Sequence, residues 1–329
     1  MEHGGPVISD AGAGPLRSGA GPFPPPTTSK GYAMLTRVRP RRGDPGLTAF
    51  ALLALGLYVL FIIVPVVMSG WKSLTDENPI MAQSHFIGFA NYTQMTHDDA
   101  LAASLSFTLV MAGAVTIIAN AAGIGFAILL NKTSLSFRMM RTVAFLPQVL
   151  SGVIVGFVWR YILAQDGILN HVLLALRIIG TPISWLGSPH LAMFSVGLVA
   201  AWVLTGFTTV VHLAALQSIP VELYQAATVD GAGRWQQFRR ITFPMIAPGT
   251  TISVTISLIT MLKLYDIIAA LTGGGPAYAT QSTALYIINL AFTDDRFGYA
   301  SAVAMLLLAI SAVIGLSVTT LLRRREVDL

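Results

Sequence analysis

Few residues in this chain are of a kind and spacing that could do covalent chemistry. A loop that cradles phosphates needs glycines leading into Gly-Lys-Ser or Gly-Lys-Thr. None of the four lysines, Lys30, Lys72, Lys132 and Lys263, follows a glycine. There is no cysteine, so disulfides, thiolate metal sites and thiol nucleophiles are excluded. The six histidines, His3, His85, His97, His171, His190 and His212, show no metal-ligand spacing. No nucleophile elbow or metalloprotease pattern occurs. The sequence therefore predicts no catalytic residue, no metal and no cofactor held by this chain. Two places remain where polar groups demand an explanation. One is Lys263 and Asp266, flanking Tyr265 in an otherwise apolar run; the other is the polar stretch 217–244.

The elements that must position these groups follow from where charge is missing. Of the 329 residues 54% are hydrophobic and 11% charged, against about 25% charged in an average soluble domain. No Asp, Glu, Lys or Arg lies between Asp44 and Lys72, Asp99 and Lys132, Arg141 and Arg160, Arg177 and Glu222, Arg240 and Lys263, or Arg296 and Arg323. Each run approaches or exceeds the roughly 20 residues a helix needs to cross the hydrocarbon core. In lipid, only helices and closed barrels satisfy their own backbone groups. The expectation is an all-α membrane protein with six spans near 47–69, 105–130, 142–163, 191–214, 249–271 and 298–322.

Charge distribution then fixes the predicted orientation. Six spans put both termini on one side, with fifteen basic residues from the tails and the loops 131–141 and 215–248. The other side has three, Lys72, Arg177 and Arg296. That asymmetry satisfies the positive-inside rule, with both termini in the cytoplasm. It also accounts for the net charge of +5 without nucleic acid. Residues 1–46 hold nine Gly and eight Pro, a composition expected to form a disordered tail whose basic end, Arg37 to Arg42, rests on lipid headgroups. The rest, 47–325, is expected to form one transmembrane domain.

Within a span, a lone Lys or Asp costs about 2.5–3.5 kcal/mol on insertion scales. Lys263 and Asp266 are three apart and are expected on one helical face, where they can pair. Two readings stand: a lining of a translocation pathway, or a structural tie to a neighbouring helix. Arg160, between Trp159 and Tyr161 at a span end, is explained by aromatic anchoring and snorkelling.

The stretch 217–244 starts as a helix should, with Ser218 able to cap, Pro220 in the first turn and Glu222 at the positive end of the dipole. Leu223, Ala226, Ala227 and Asp230 are spaced to share a face, Gly231 can supply a left-handed stop, and Pro244 and Pro248 break the chain before the next span. The spacing predicts a short helix along the membrane surface whose small residues admit close packing by another protein.

This stretch resembles the cytoplasmic signature of permease subunits in ATP-binding-cassette importers. That signature has Glu-Ala-Ala, a Gly four residues on, an Ile ten further, then Leu-Pro after a gap. Here the residues are Gln225-Ala226-Ala227, Gly231, Ile241, Phe243 and Pro244. Gln225 replaces Glu and Phe243 replaces Leu. The resemblance implies a type I importer permease fold in a bacterial inner membrane, with 217–244 as a coupling helix docking on an ATPase subunit. The family Glu is expected to meet a basic group there. Gln225 lacks that charge, leaving Glu222 or Asp230 as substitutes.

Further features resemble the maltose-type carbohydrate branch: Phe86-Ile-Gly-Phe-Ala-Asn91-Tyr92, Leu146-Pro147 with Trp159 and Gly167-Ile-Leu-Asn170, Trp185-Leu186, and Thr272-Gly-Gly-Gly-Pro276. The resemblance implies a sugar or oligosaccharide as cargo and an extracytoplasmic solute-binding protein that delivers it. It also implies a second homologous permease and an ATPase dimer that binds the ATP and Mg. A secondary transporter or channel without an ATPase, relying on Lys263 and Asp266, and an importer permease for a non-sugar solute are the alternatives. Trp202, Phe207 and Tyr265 are aromatic residues that can stack on a sugar or pack.

Overall fold

The computed structural model describes residues 45–80, 83–132 and 134–324. Expectations for residues 1–44 and for Arg325 lie outside that range. The chain divides into two units between Leu57 and Tyr58. In the first, the described residues belong to helix α1 (Pro45–Tyr58).

The second unit opens with a π-helical turn, Val59–Ile63, followed by α2 (Val64–Lys72) and α3 (Ala90–Met95). Next come α4 (Asp99–Leu130), α5 (Leu135–Val149), α6 (Gly152–Ile162) and α7 (Ile168–Ala175). After them follow α8 (Pro189–Gln217), α9 (Val221–Val229) and α10 (Arg234–Gln237), with a π turn leading into α11 (Phe243–Met245). The chain finishes with α12 (Ala247–Leu262), α13 (Asp266–Leu271), α14 (Thr283–Phe292) and α15 (Phe297–Arg323). Among the described residues four stretches are long and apolar enough to cross a membrane: Thr48–Lys72, Asp99–Leu130, Pro189–Gln217 and Phe297–Arg323. Two bent pairs, Leu135–Val149 with Gly152–Ile162 and Arg234–Met245 with Ala247–Leu262, bring the number to six where each pair is one span.

The expected third span, 142–163, is therefore not one helix. Its halves meet at 99°. Pro147 lacks the N–H for a helical hydrogen bond, and Leu150 and Ser151 are extended, with ψ of 144° and 136°. At 1.5 Å per residue, the 11 residues of α6 span only about 16 Å. The expected fifth span, 249–271, is also divided: α12 stops at Leu262 and α13 starts at Asp266. Pro244 and Pro248 do mark a 61° bend, as expected.

The core sits between α4, α8, α12 and α13, with Ala119, Val196, Val199, Leu262 and Ile268 almost wholly buried. The Thr208 hydroxyl of α8 donates to the Ala119 carbonyl of α4 at 2.8 Å. Arg141 on α5 donates from Nε and Nη2 to the Leu130 carbonyl at the end of α4, and from Nη2 to Lys132 O. It thus satisfies carbonyls that a helix end leaves open.

Three connections at the opposite end are held by polar side chains, the buried Asn91 and Asn170 and the half-buried Asp98. Asn91 donates to the carbonyls of Ser73 and Thr75, pinning α3 to the end of α2. Asn170 Nδ2 donates to Gln165 O and Ile183 O, while Oδ1 accepts from Ile183 N and Trp185 Nε1. Asp98 caps α4 through Leu101 N and accepts from the Tyr286 and Tyr299 hydroxyls of α14 and α15. Burial alone would raise the Asp98 carboxyl; the two tyrosine hydroxyls and the backbone N–H groups outweigh it and hold the group below its ordinary 3.8. A carboxylate so depressed stabilises the fold above its unfolded value, and that contribution is lost as pH falls through the folded one. Lowering pH from 7 to 3 should therefore reduce the thermal midpoint of the wild type more than that of Asp98→Asn. Equal losses in both would remove Asp98 from the account.

Candidate functional site

The stretch 217–244 folds into a helix displayed between two spans. Chain direction changes at Pro220, whose ψ of 131° ends the preceding helix and begins α9. Ser218 does not cap α9: it terminates α8, and its hydroxyl donates back to Ala215 O. The extended Pro220 puts the start of α9 two residues beyond reach of the expected cap.

At its other end α9 closes in a Schellman motif. Ala232 N donates to Ala227 O at 2.8 Å and Gly231 N to Thr228 O at 3.1 Å. Gly231 has φ of +78°, the left-handed conformation that a side chain penalises. Asp230 is the residue that caps the helix and lies outside its last turn.

One face of α9 returns to the protein. Tyr224 packs against the cluster of Leu213, Leu216, Ile219 and Ile246, and its hydroxyl lies 2.9 Å from Thr242 Oγ1. Gln237 Nε2 donates to Thr228 Oγ1 and Ala232 O, tying the following segment to the helix. Facing away are Glu222, Gln225, Ala226 and Val229, all exposed, with Val229 at 88%. The expected single face of Leu223, Ala226, Ala227 and Asp230 is thus divided: Ala227 is half-buried on the anchored side and Ala226 is exposed. Tyr224, Thr228, Gln237 and Thr242 escaped sequence reasoning because they come from separate segments with no shared period. Ile241 packs beside Tyr224 in the same cluster, and Pro244 stands in α11 just before the bend.

The second set of residues lies at the break between α12 and α13. Lys263 caps the end of α12, Tyr265 precedes α13, and Asp266 is its first residue. The expected shared helical face does not form, because the helix ends between the two charges. Among the described residues Lys263 and Asp266 make no ion pair. Asp266 instead lies against the start of α6, where a Cβ on Gly152 would fall 1.9 Å from its Oδ2. One turn later a Cβ on Gly156 would meet Ala270 Cβ at 2.6 Å and Ile267 O at 2.9 Å. The Gly152-x-x-x-Gly156 spacing lets α6 and α13 approach backbone to backbone, as small residues do between membrane helices. The carboxylate meets the positive end of the α6 dipole, which offsets part of its desolvation. Lys263 and Tyr265 are exposed. Trp202 stacks edge-on against Trp159, with centroids 5.5 Å apart, and Phe207 packs on the core.

Known proteins resemble this chain in sequence and in fold. The family model described as binding-protein-dependent transport system inner membrane component matches residues 119–327. The chain is 32% identical over 271 residues to the probable starch degradation products transport system permease protein AmyD of Thermoanaerobacterium thermosulfurigenes, covering 82% of this chain and 91% of that one. It is 32% identical over 257 residues to the trehalose/maltose transport system permease protein MalF of Thermococcus litoralis, covering 77% and 85%. The fold matches a crystal structure of a bacterial ABC transporter involved in the import of the acidic polysaccharide alginate, with a TM-score of 0.75 and 25% identity over 85% of this chain and 96% of that one. Because the family model spans α8, α9 and the two bent pairs and both relatives cover more than three quarters of this chain, the chain belongs to the family of binding-protein-dependent transport system inner membrane components.

Proposed function

We propose that this permease imports a sugar or oligosaccharide and that α9 is its contact with an ATPase subunit. The observation that carries the coupling assignment is the construction of α9: anchored from behind by Tyr224, Thr228 and Gln237, and exposed in front along Glu222, Gln225, Ala226 and Val229. A helix held this way transmits a push along its exposed face to α8 and α12, the elements its anchors join. Val229 is an apolar knob for a groove, and Glu222 or Gln225 supplies a polar contact at its edge. ATP and Mg belong to the ATPase chain, whose closure supplies the differential affinity between two states that a switch requires.

The sugar assignment is supported by the relatives, since AmyD is a probable permease of a transport system for starch degradation products and MalF the permease of one for trehalose and maltose. A related structure holds an alginate transporter in complex with a pentasaccharide-bound periplasmic protein, which supports a binding-protein partner here. A second permease completes the pathway, with Lys263, Tyr265 and Asp266 at the helix break contributing to its lining. Both termini lie in the cytoplasm, on the side of α9 and the basic loops.

The absence of native cysteine from this chain makes the contact directly testable. Val229→Cys, in membranes holding the assembled importer with a single cysteine in the ATPase groove, should form a disulfide with the ATPase. Val313→Cys, 64% exposed on α15, should not. An active importer in which Val229→Cys gives no adduct with any groove position would overturn the assignment.

A further inference from the structure

Helices α12 and α15 run antiparallel and touch along part of their length. Gly315 faces Ile259, whose side chain a Cβ there would meet at 3.4 Å. One turn further along, the Thr255 and Thr319 hydroxyls lie 3.0 Å apart. Past that contact the helices separate, leaving a groove of about 420 Å³ lined by Pro248, Thr251, Ile252, Ile256 and Arg323, with the threonine pair at its head. From Thr255 to Pro248 is seven residues, roughly 10 Å of helix.

The α12 wall presents two apolar side chains to the groove, Ile252 54% and Ile256 44% exposed, and the α15 wall is Thr319 and Arg323. Arg323 stands at the open end, in the last turn of α15, and makes no ion pair among the described residues. Among the described residues no acidic side chain lines the groove. The opening is on the side of the bundle that carries α9 and the basic loops, where anionic lipids concentrate. A soluble ligand would leave the exposed isoleucines uncompensated, and a neutral apolar one would leave the arginine so. A molecule with an apolar chain and an anionic head satisfies both.

We propose that this groove is a binding site for one anionic phospholipid. An acyl chain lies along Ile252 and Ile256, the Thr251 hydroxyl is near the glycerol region, and the phosphate is held by Arg323. The guanidinium fork matches a phosphate better than a point charge does. The site stands independently of the transported solute. It gives the bend before α12 a second consequence: the lipid sits between the start of α12 and the end of α15.

The full-length chain in neutral detergent tests this with added phosphatidylglycerol or phosphatidylcholine of the same chain length. Phosphatidylglycerol should raise the thermal midpoint by about 4 °C, and phosphatidylcholine by much less. Arg323→Gln should abolish the difference between the lipids, Arg323→Lys should keep part of it, and Ile252→Trp, which fills the groove, should remove the response to both. Arg324→Gln, a charge beside the groove that does not line it, should behave as wild type. Native mass spectrometry should show one retained phosphatidylglycerol, lost in Arg323→Gln. Equal shifts from the two lipids, an unchanged response in Arg323→Gln, or an equal loss in Arg324→Gln would each overturn the site. The last result would reduce the effect to diffuse surface charge, and no lipid retention would leave the groove to a partner helix.

Discussion

Gly231→Val should reduce ATP-driven uptake by at least about tenfold while the chain remains inserted at normal levels. Gly231 holds φ at +78°, and a non-glycine residue there pays roughly 1–2 kcal/mol, more if β-branched. The Schellman bonds from Ala232 to Ala227 and from Gly231 to Thr228 depend on that conformation. Without them the last turn of α9 frays, and Val229 and the Gln237 brace lose their fixed positions. Because 1.4 kcal/mol is a factor of ten in a population, the docked geometry becomes rare. The loss is local, since α9 buries no residue fully. Gly231→Asn, which tolerates the left-handed region, should restore most uptake. Uptake assayed in proteoliposomes with the complete importer decides the matter: valine and asparagine variants with equal activity would show that the helix stop is dispensable.

Asn170→Leu should cause the largest loss of stability, about 4 kcal/mol, or a fall of roughly 10 °C in the thermal midpoint. Asn170 is 1% exposed, and its amide joins the turn after α6 to the segment before α8. Leucine keeps its heavy-atom count and branching but makes none of its bonds, leaving Gln165 O, Ile183 N, Ile183 O and Trp185 Nε1 without this partner. Asn170→Asp is informative because it retains the acceptor and loses the donor. It should keep the bonds from Ile183 N and Trp185 Nε1, set a carboxylate against two carbonyls, and also unfold early. Differential scanning fluorimetry in detergent measures both, and a leucine variant within 2 °C of wild type would refute the keystone role (about 0.8 kcal/mol at this size).

The motifs of the sugar branch now have physical meanings. Asn91 and Asn170, each in a short extramembrane motif, are buried amides that fasten loops, and Trp185 is the donor that Asn170 receives. The Thr272-Gly-Gly-Gly-Pro276 turn places Gly273 and Gly274 at φ of +63° and +88°, and Thr280 closes it onto Gly275 O at 2.6 Å. Such residues fasten loops to the helices beside them.

The sequence by itself determined where the apolar stretches lie, the stop at Gly231 and the bend at Pro244 and Pro248. Each follows from local chemistry: charge cannot rest in hydrocarbon, a left-handed turn wants glycine, and proline cannot donate. Tertiary structure alone decided that two of the six crossings are broken, that Lys263 and Asp266 part company, and which face of α9 is displayed. A broken span has the same apolar composition as a straight one, because both halves remain in lipid or protein. What breaks it is a partner elsewhere in the chain: Gly152 and Gly156 admit α13, and Asp266 finds the end of α6 rather than Lys263. The displayed face of α9 is fixed likewise by Thr242 and Gln237, which approach only after the chain has turned back.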